Sequence, residues 1–89
     1  MYRGNVVRND SLDPNYRIKF SFISSEYTIV NGYAMFTRCA PVPKVVFDDY
    51  TDYLIEQLEL DEQTIQRLKL EVGKTVCDYI FSNLELKKL

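Results

Sequence analysis

The sequence predicts an α+β domain. A three-stranded antiparallel β-meander over about 16–23, 26–30 and 33–39 is followed by two α-helices, over about 49–59 and 62–84, packed on one sheet face. Three observations carry that prediction. Asn31-Gly32 stands between two alternating runs, and Asn-Gly is the strongest short hairpin signal. Ser24-Ser25 supplies a second two-residue turn, and pairing the strands about both turns yields a single register. Beyond Pro43 the apolar spacing changes from period two to the helical period.

Residues 1–15 contain Gly4, Pro14 and several Asn and Asp with little periodicity, which predicts a loosely ordered N-terminal arm ahead of a single domain over 16–89. In the meander, Phe22, Tyr27 and Phe36 share one row, and Phe20, Ile29 and Ala34 the next, with Ile18 extending the same apolar face. The other face carries Arg17, Lys19, Ser21, Thr28 and Thr37 together with Val30, Tyr33 and Met35. Ala40-Pro41-Val42-Pro43 follows as a rigid extended connector, because alternating prolines fix φ and remove donors. Val45-Val46-Phe47 reads either as a short edge strand or as the lead-in to the first helix.

Asp48 or Asp49 can cap the first helix, whose apolar stripe is Tyr50, Tyr53, Leu54 and Leu58 with Ile55 alongside. Asp61 is the next N-cap candidate, with Leu60 and Ile65 at the spacing of a hydrophobic staple. The second helix turns Ile65, Leu68, Val72, Val76, Tyr79, Ile80 and Leu84 to one side, and Lys87-Lys88 suits the negative end of its dipole. Leu70, Cys77 and Phe81 widen that stripe beyond what one sheet face requires, leaving a second apolar side for a partner. Glycine inside a helix costs about 1 kcal/mol against alanine, so Gly73 marks a point of close backbone approach.

Length and composition bound the function. A chain of 89 residues is one domain with a modest core. The apolar share of 46% is ample for that core and excludes a disordered chain. The formal net charge is −2, with residues 1–44 at +3 and residues 45–89 at −5. From Asp48 to Glu62 stand seven acids and no base, the reverse of a duplex-binding stripe. Polar residues open the chain and no apolar run approaches the ~20 residues of a membrane span, so a cytoplasmic protein is expected. Two cysteines make no disulfide framework, and Cys39 and Cys77 read as reduced, partly buried thiols.

No catalytic or metal constellation emerges. There is no histidine, which removes the commonest general base and the commonest metal ligand. Two cysteines alone cannot build a tetrahedral zinc site. Asp48, Asp52 and Glu56 share an exposed helix face, whereas acid–base work needs a carboxyl that is buried or set beside a close like charge. Gly73-Lys74-Thr75 resembles the end of a phosphate loop only superficially, since Leu68 stands where the motif needs its first glycine.

The expectation is therefore a small non-enzymatic accessory or regulatory protein, of the inhibitor-like kind phages encode, that binds another protein, forms a homodimer and uses no cofactor. Its candidate interface is Val30, Tyr33 and Met35 on the sheet with Leu70, Gly73, Cys77 and Phe81 on the long helix. Asp48, Asp49, Asp52, Glu56 and Glu59 form a candidate acidic docking face. The first alternative is a regulator that holds single-stranded nucleic acid through Arg3, Arg8, Arg17, Lys19 and Tyr33, and the second a small enzyme built on carboxylates or a thiol.

Overall fold

A computed structural model of the chain describes residues 1–39 and 41–88, with side chains through Asn83. Four strands, β1 (Tyr2–Val6), β2 (Asn15–Ile23), β3 (Thr28–Thr37) and β4 (Lys44–Phe47), form one antiparallel sheet in the order β1-β2-β3-β4. Helices α1 (Asp49–Gln57) and α2 (Glu62–Lys88) follow. The class is α+β, with four strands rather than three. Within the connector and the long helix, Ala40 and the side chains of Leu84, Lys87 and Lys88 lie outside the described residues.

The expected meander is corrected at Asn31-Gly32. No turn forms there; β3 runs straight through and pairs with β2 from Asn15↔Thr37 to Ile23↔Thr28. The register skips between Phe20↔Gly32 and Phe22↔Ile29, so Ser21 alone faces Val30 and Asn31. This is a β-bulge, and Asn31 occupies its left-handed position at φ 57°. A type I′ turn needs positive φ at both central residues. Among the described residues no glycine has positive φ, so Gly32 does not meet that need.

The bulge explains why the expected core face is nevertheless the buried one. Ile29 and Ala34 are an odd number of residues apart, which on a regular strand places them on opposite faces. One inserted residue restores them to the same side. Ile18, Phe20, Ile29, Ala34 and Phe36 are all buried, and Phe22 and Tyr27 pack against them half-covered. Gly32 serves that face by lacking a side chain, since the Phe20 ring lies across it. The same ring stacks on Tyr2 and tilts against Phe47, with centroids 5.8 and 6.0 Å away.

The remaining strands close over both sides of that hairpin. Residues 2–6, expected in a loose arm, pair as β1 from Tyr2↔Phe22 to Val6↔Ile18. A short 3-10 turn at Arg8–Asp10 leads back, with Ser11 Oγ accepting the Arg17 N–H at 2.9 Å. The β2–β3 loop spans residues 24–27 rather than two residues, and Ser24 Oγ accepts both the Glu26 and the Tyr27 N–H. Val45-Val46-Phe47 resolves as part of β4, paired to β3 from Ala34↔Phe47 to Thr37↔Lys44.

Helix α1 starts at Asp48, whose Oδ1 accepts the Thr51 N–H at 2.8 Å. Its stripe differs from the expected one. Thr51 and Ile55 are buried and Leu54 and Leu58 half-buried, while Tyr50 and Tyr53 are 59% and 56% exposed. The cause lies in β3: β4 ends opposite Ala34, and the Tyr33 N–H beyond it donates to Thr51 Oγ1 at 2.9 Å. That bond turns the Thr51 side of α1 inward and the tyrosines out. The helix closes in a Schellman arrangement, with Glu59 N–H on Glu56 O and Leu60 N–H on Ile55 O. Glu59 takes the left-handed position at φ 54°.

Asp61 caps α2 by accepting the Thr64 N–H at 2.8 Å, and Leu60 and Ile65 join the core as the staple spacing predicts. The helix runs to Lys88, past the expected end near 84. Leu68, Val72 and Val76 are fully buried between α2 and the sheet, each contributing about 1.5–3 kcal/mol. Tyr2 Oη and Thr75 Oγ1 are 2.9 Å apart, tying β1 to the middle of α2.

The two glycines in the core predict opposite responses. A Cβ on Gly32 would lie 2.8 Å from Phe20 Cζ, so Gly32→Ala should destabilise by about 1–3 kcal/mol. A Cβ on Gly73 would meet Phe36 at an ordinary 3.5 Å, so Gly73→Ala should stabilise by about 0.5–1 kcal/mol. Urea unfolding of both variants reads the two signs; the same sign for both would contradict this packing.

Candidate functional site

Helix α1 packs against β3 and leaves the outer side of α2 uncovered. Leu70 is 75% exposed and Phe81 66%, and Cys77 between them is exposed as well. Beside this stripe lies a groove of about 660 Å³, between α2 and the strand β4 with its Val42-Pro43 approach. Phe36, Val42, Val45, Leu70, Gly73 and Cys77 make its apolar lining. Lys44 from the sheet and Lys69 and Lys74 from the helix form the polar rim with Gln66. Among the described residues no acid lines it. Other hollows on the surface measure 260–330 Å³.

The structure thus brings Leu70, Gly73 and Cys77 together and sets Phe81 one turn further along. Gly73 is not a crossing point of two helices within the chain; its neighbour is the Phe36 ring, because α2 rests on the sheet there and α1 does not reach it. Sequence alone does not single out Val42 and the three lysines, since the groove joins a connector, a strand and a helix that are separate in the chain. The expectation of partly buried thiols is also corrected: Cys39 and Cys77 are both free and exposed. Cys39 closes β3's exit by donating to Val42 O at 3.3 Å, and Cys77 falls on the uncovered side of α2.

The sheet patch is less uniform. Tyr33 and Met35 are half-buried and Val30, at the bulge, is exposed. The Arg17 guanidinium lies over the Tyr33 ring, 4.6 Å from its centroid. Lys19 pairs across from Tyr33 and Arg17 from Met35, so charge interrupts the apolar surface. Arg3 joins this face opposite Ser21. Arg8 does not; it lies by Tyr79, where the Asn83 bond first and then Arg8 lower the Tyr79 hydroxyl pKa against the opposing effect of burial.

The acidic face forms as a set on α1. Asp49, Asp52, Glu56 and Glu59 are exposed, and Asp48 is committed to the helix cap. Lys44, Lys69 and Lys74 on one side and Asp49, Asp52 and Glu56 on the other make no ion pair among the described residues.

One polar cluster stands elsewhere. Asp13 receives both Arg38 Nε and Nη2, at 3.0 and 2.9 Å, and the Tyr16 hydroxyl at 2.7 Å. It ties the turn before β2 to the end of β3, a structural latch rather than a reactive site. Among the described residues no group of three or more metal-ligating side chains is placed to hold an ion, and no helix is long and apolar enough to cross a membrane. Comparison with family models, with curated proteins and with solved structures finds no match to this chain.

The latch predicts a pH dependence. Hydrogen bonds from Arg38, then from Tyr16, hold the Asp13 carboxyl below the ordinary value of 3.8. The unfolded chain therefore binds more protons in the window between the folded value and 3.8. The latch's contribution is complete above 3.8 and lost as pH falls through the lower folded value. Asp13→Asn should remove that part of the acid-side slope of urea stability; an unchanged slope would contradict the latch.

Proposed function

We propose that this chain is a non-enzymatic protein-binding module of the cytoplasm, acting through the outer side of α2 and the groove beside β4. The observation that carries this reading is the exposed run Leu70, Cys77 and Phe81 next to an apolar groove with a charged rim. A small domain gains nothing in its own stability from leaving such side chains in water, and an apolar centre with a polar rim is the anatomy of an interface. Two exposed free thiols suit a reducing compartment. Self-association is the form of binding expected first, because each copy carries the surface.

The nucleic-acid reading is weaker. Base stacking needs an open aromatic face, and Arg17 occupies the face of Tyr33. Arg8 stands apart from the other bases, near Tyr79.

A random dodecapeptide library displayed on phage tests the binding reading. Selection on the wild-type chain should enrich peptides that lose at least tenfold in affinity for Leu70→Asp, a substitution at an exposed position that leaves the unfolding midpoint near wild type. Enrichment that ignores Leu70→Asp, or no enrichment at all, would count against this surface as a binding site.

A further inference from the structure

The geometry points to a specific occupant for the groove: the acidic face of α1 from a second copy of this chain. This rests on the protein-binding reading above and names the partner. The groove offers three lysines, no acid among the described residues, and an apolar lining that includes Val42, Leu70 and Cys77. Helix α1 offers the complement. Asp52, Glu56 and Asp49 run along its exposed side, flanked by Tyr53 and Tyr50, which are more than half exposed. No base occurs from Asp48 to Glu62 to weaken that field. Tyrosine is a preferred anchor in apolar pockets, and its hydroxyl can reach a rim.

Both surfaces are unsatisfied in the monomer. The ion pair present among the described residues, Arg38–Asp13, involves neither set. Two other occupants fit less well. A groove-to-groove twofold would face Lys44, Lys69 and Lys74 with their own copies, and like charges oppose that contact. Strand addition at β4 meets an edge four residues long that opens on Pro43 and Lys44, both devices that blunt edges. In the contact between copies each copy gives its α1 and receives another in its groove.

Charge exchange tests this in the full chain. One variant carries Lys69→Glu and Lys74→Glu, the other Asp52→Lys and Glu56→Lys; thermal unfolding checks that both remain folded. Light scattering over a concentration series should show the wild type associating, with a dissociation constant that rises at least tenfold between low and high salt. Each variant alone should be monomeric, because its groove and its α1 then carry the same sign. An equimolar mixture should associate, since opposite signs meet again. Variants that associate as the wild type does, or a mixture that stays monomeric, would overturn the inference. A wild type that associates regardless of charge but becomes monomeric on Phe81→Asp would overturn it too, while leaving the binding reading intact. A wild-type monomer at every concentration would overturn it as well, and the peptide selection would then decide the binding reading separately.

Discussion

The extra residue at Asn31 is the constraint on which the rest of this structure depends. Strand faces alternate, so an apolar set can be buried together only if its spacing is even. In β3 the set is Ile29, Ala34 and Phe36, whose spacing is mixed. The bulge absorbs the mismatch at a residue whose side chain tolerates the left-handed region. Without it, either Ile29 or the Ala34–Phe36 half would turn to solvent. The partner positions on β2 would then face the wrong neighbours along the whole hairpin.

Everything packed on the sheet inherits that phase. The inward Phe20 ring covers Gly32 and sets the spacing for Tyr2 and Phe47 on the two outer strands. Phe36, facing the same way, gives α2 its seat beneath Gly73. The Tyr33 backbone, past the end of β4, needs an acceptor, and Thr51 supplies one at full burial. Leaving that N–H unpaired would cost about 1–3 kcal/mol, comparable with a whole side chain of the core. The orientation of α1 follows from satisfying one β3 donor. Its acidic, tyrosine-bearing side faces solvent as a consequence, and α2 keeps its own outer side bare.

Several of these features were legible in the sequence. The alternation around Ile18, Phe20 and Phe22, the caps at Asp48 and Asp61 and the over-wide stripe of α2 each follow from local spacing. The bulge did not, because an Asn-Gly pair read locally points to a hairpin turn, although an Asn in the left-handed region serves a bulge as well. The choice depends on β2 having a long partner. Strand β1 does not stand out in the sequence because Gly4 interrupts its apolar pattern, with the Tyr2 ring covering the gap. The buried side of α1 is not legible in an apolar count, which cannot register that Thr51 is needed by a backbone donor in β3. The candidate interface was half legible: Leu70, Cys77 and Phe81 stand out on a helical projection. Val42 and the lysine rim come together only once β4 lies beside α2.

The path of the chain through Asn31 fixes every pairing in the hairpin, and solution NMR reads it directly. The backbone bond from Arg38 N–H to Pro14 O places Tyr16, Ile18 and Phe20 in hydrogen-bonded pairs with β3. The intervening pairs bring Hα atoms close. Strong Hα–Hα contacts are therefore expected between Arg17 and Met35 and between Lys19 and Tyr33. Contacts of Ile29 with Ala34 and of Tyr27 with Phe36 in their place would mean that Asn31-Gly32 is a hairpin turn, and would contradict the bulged strand.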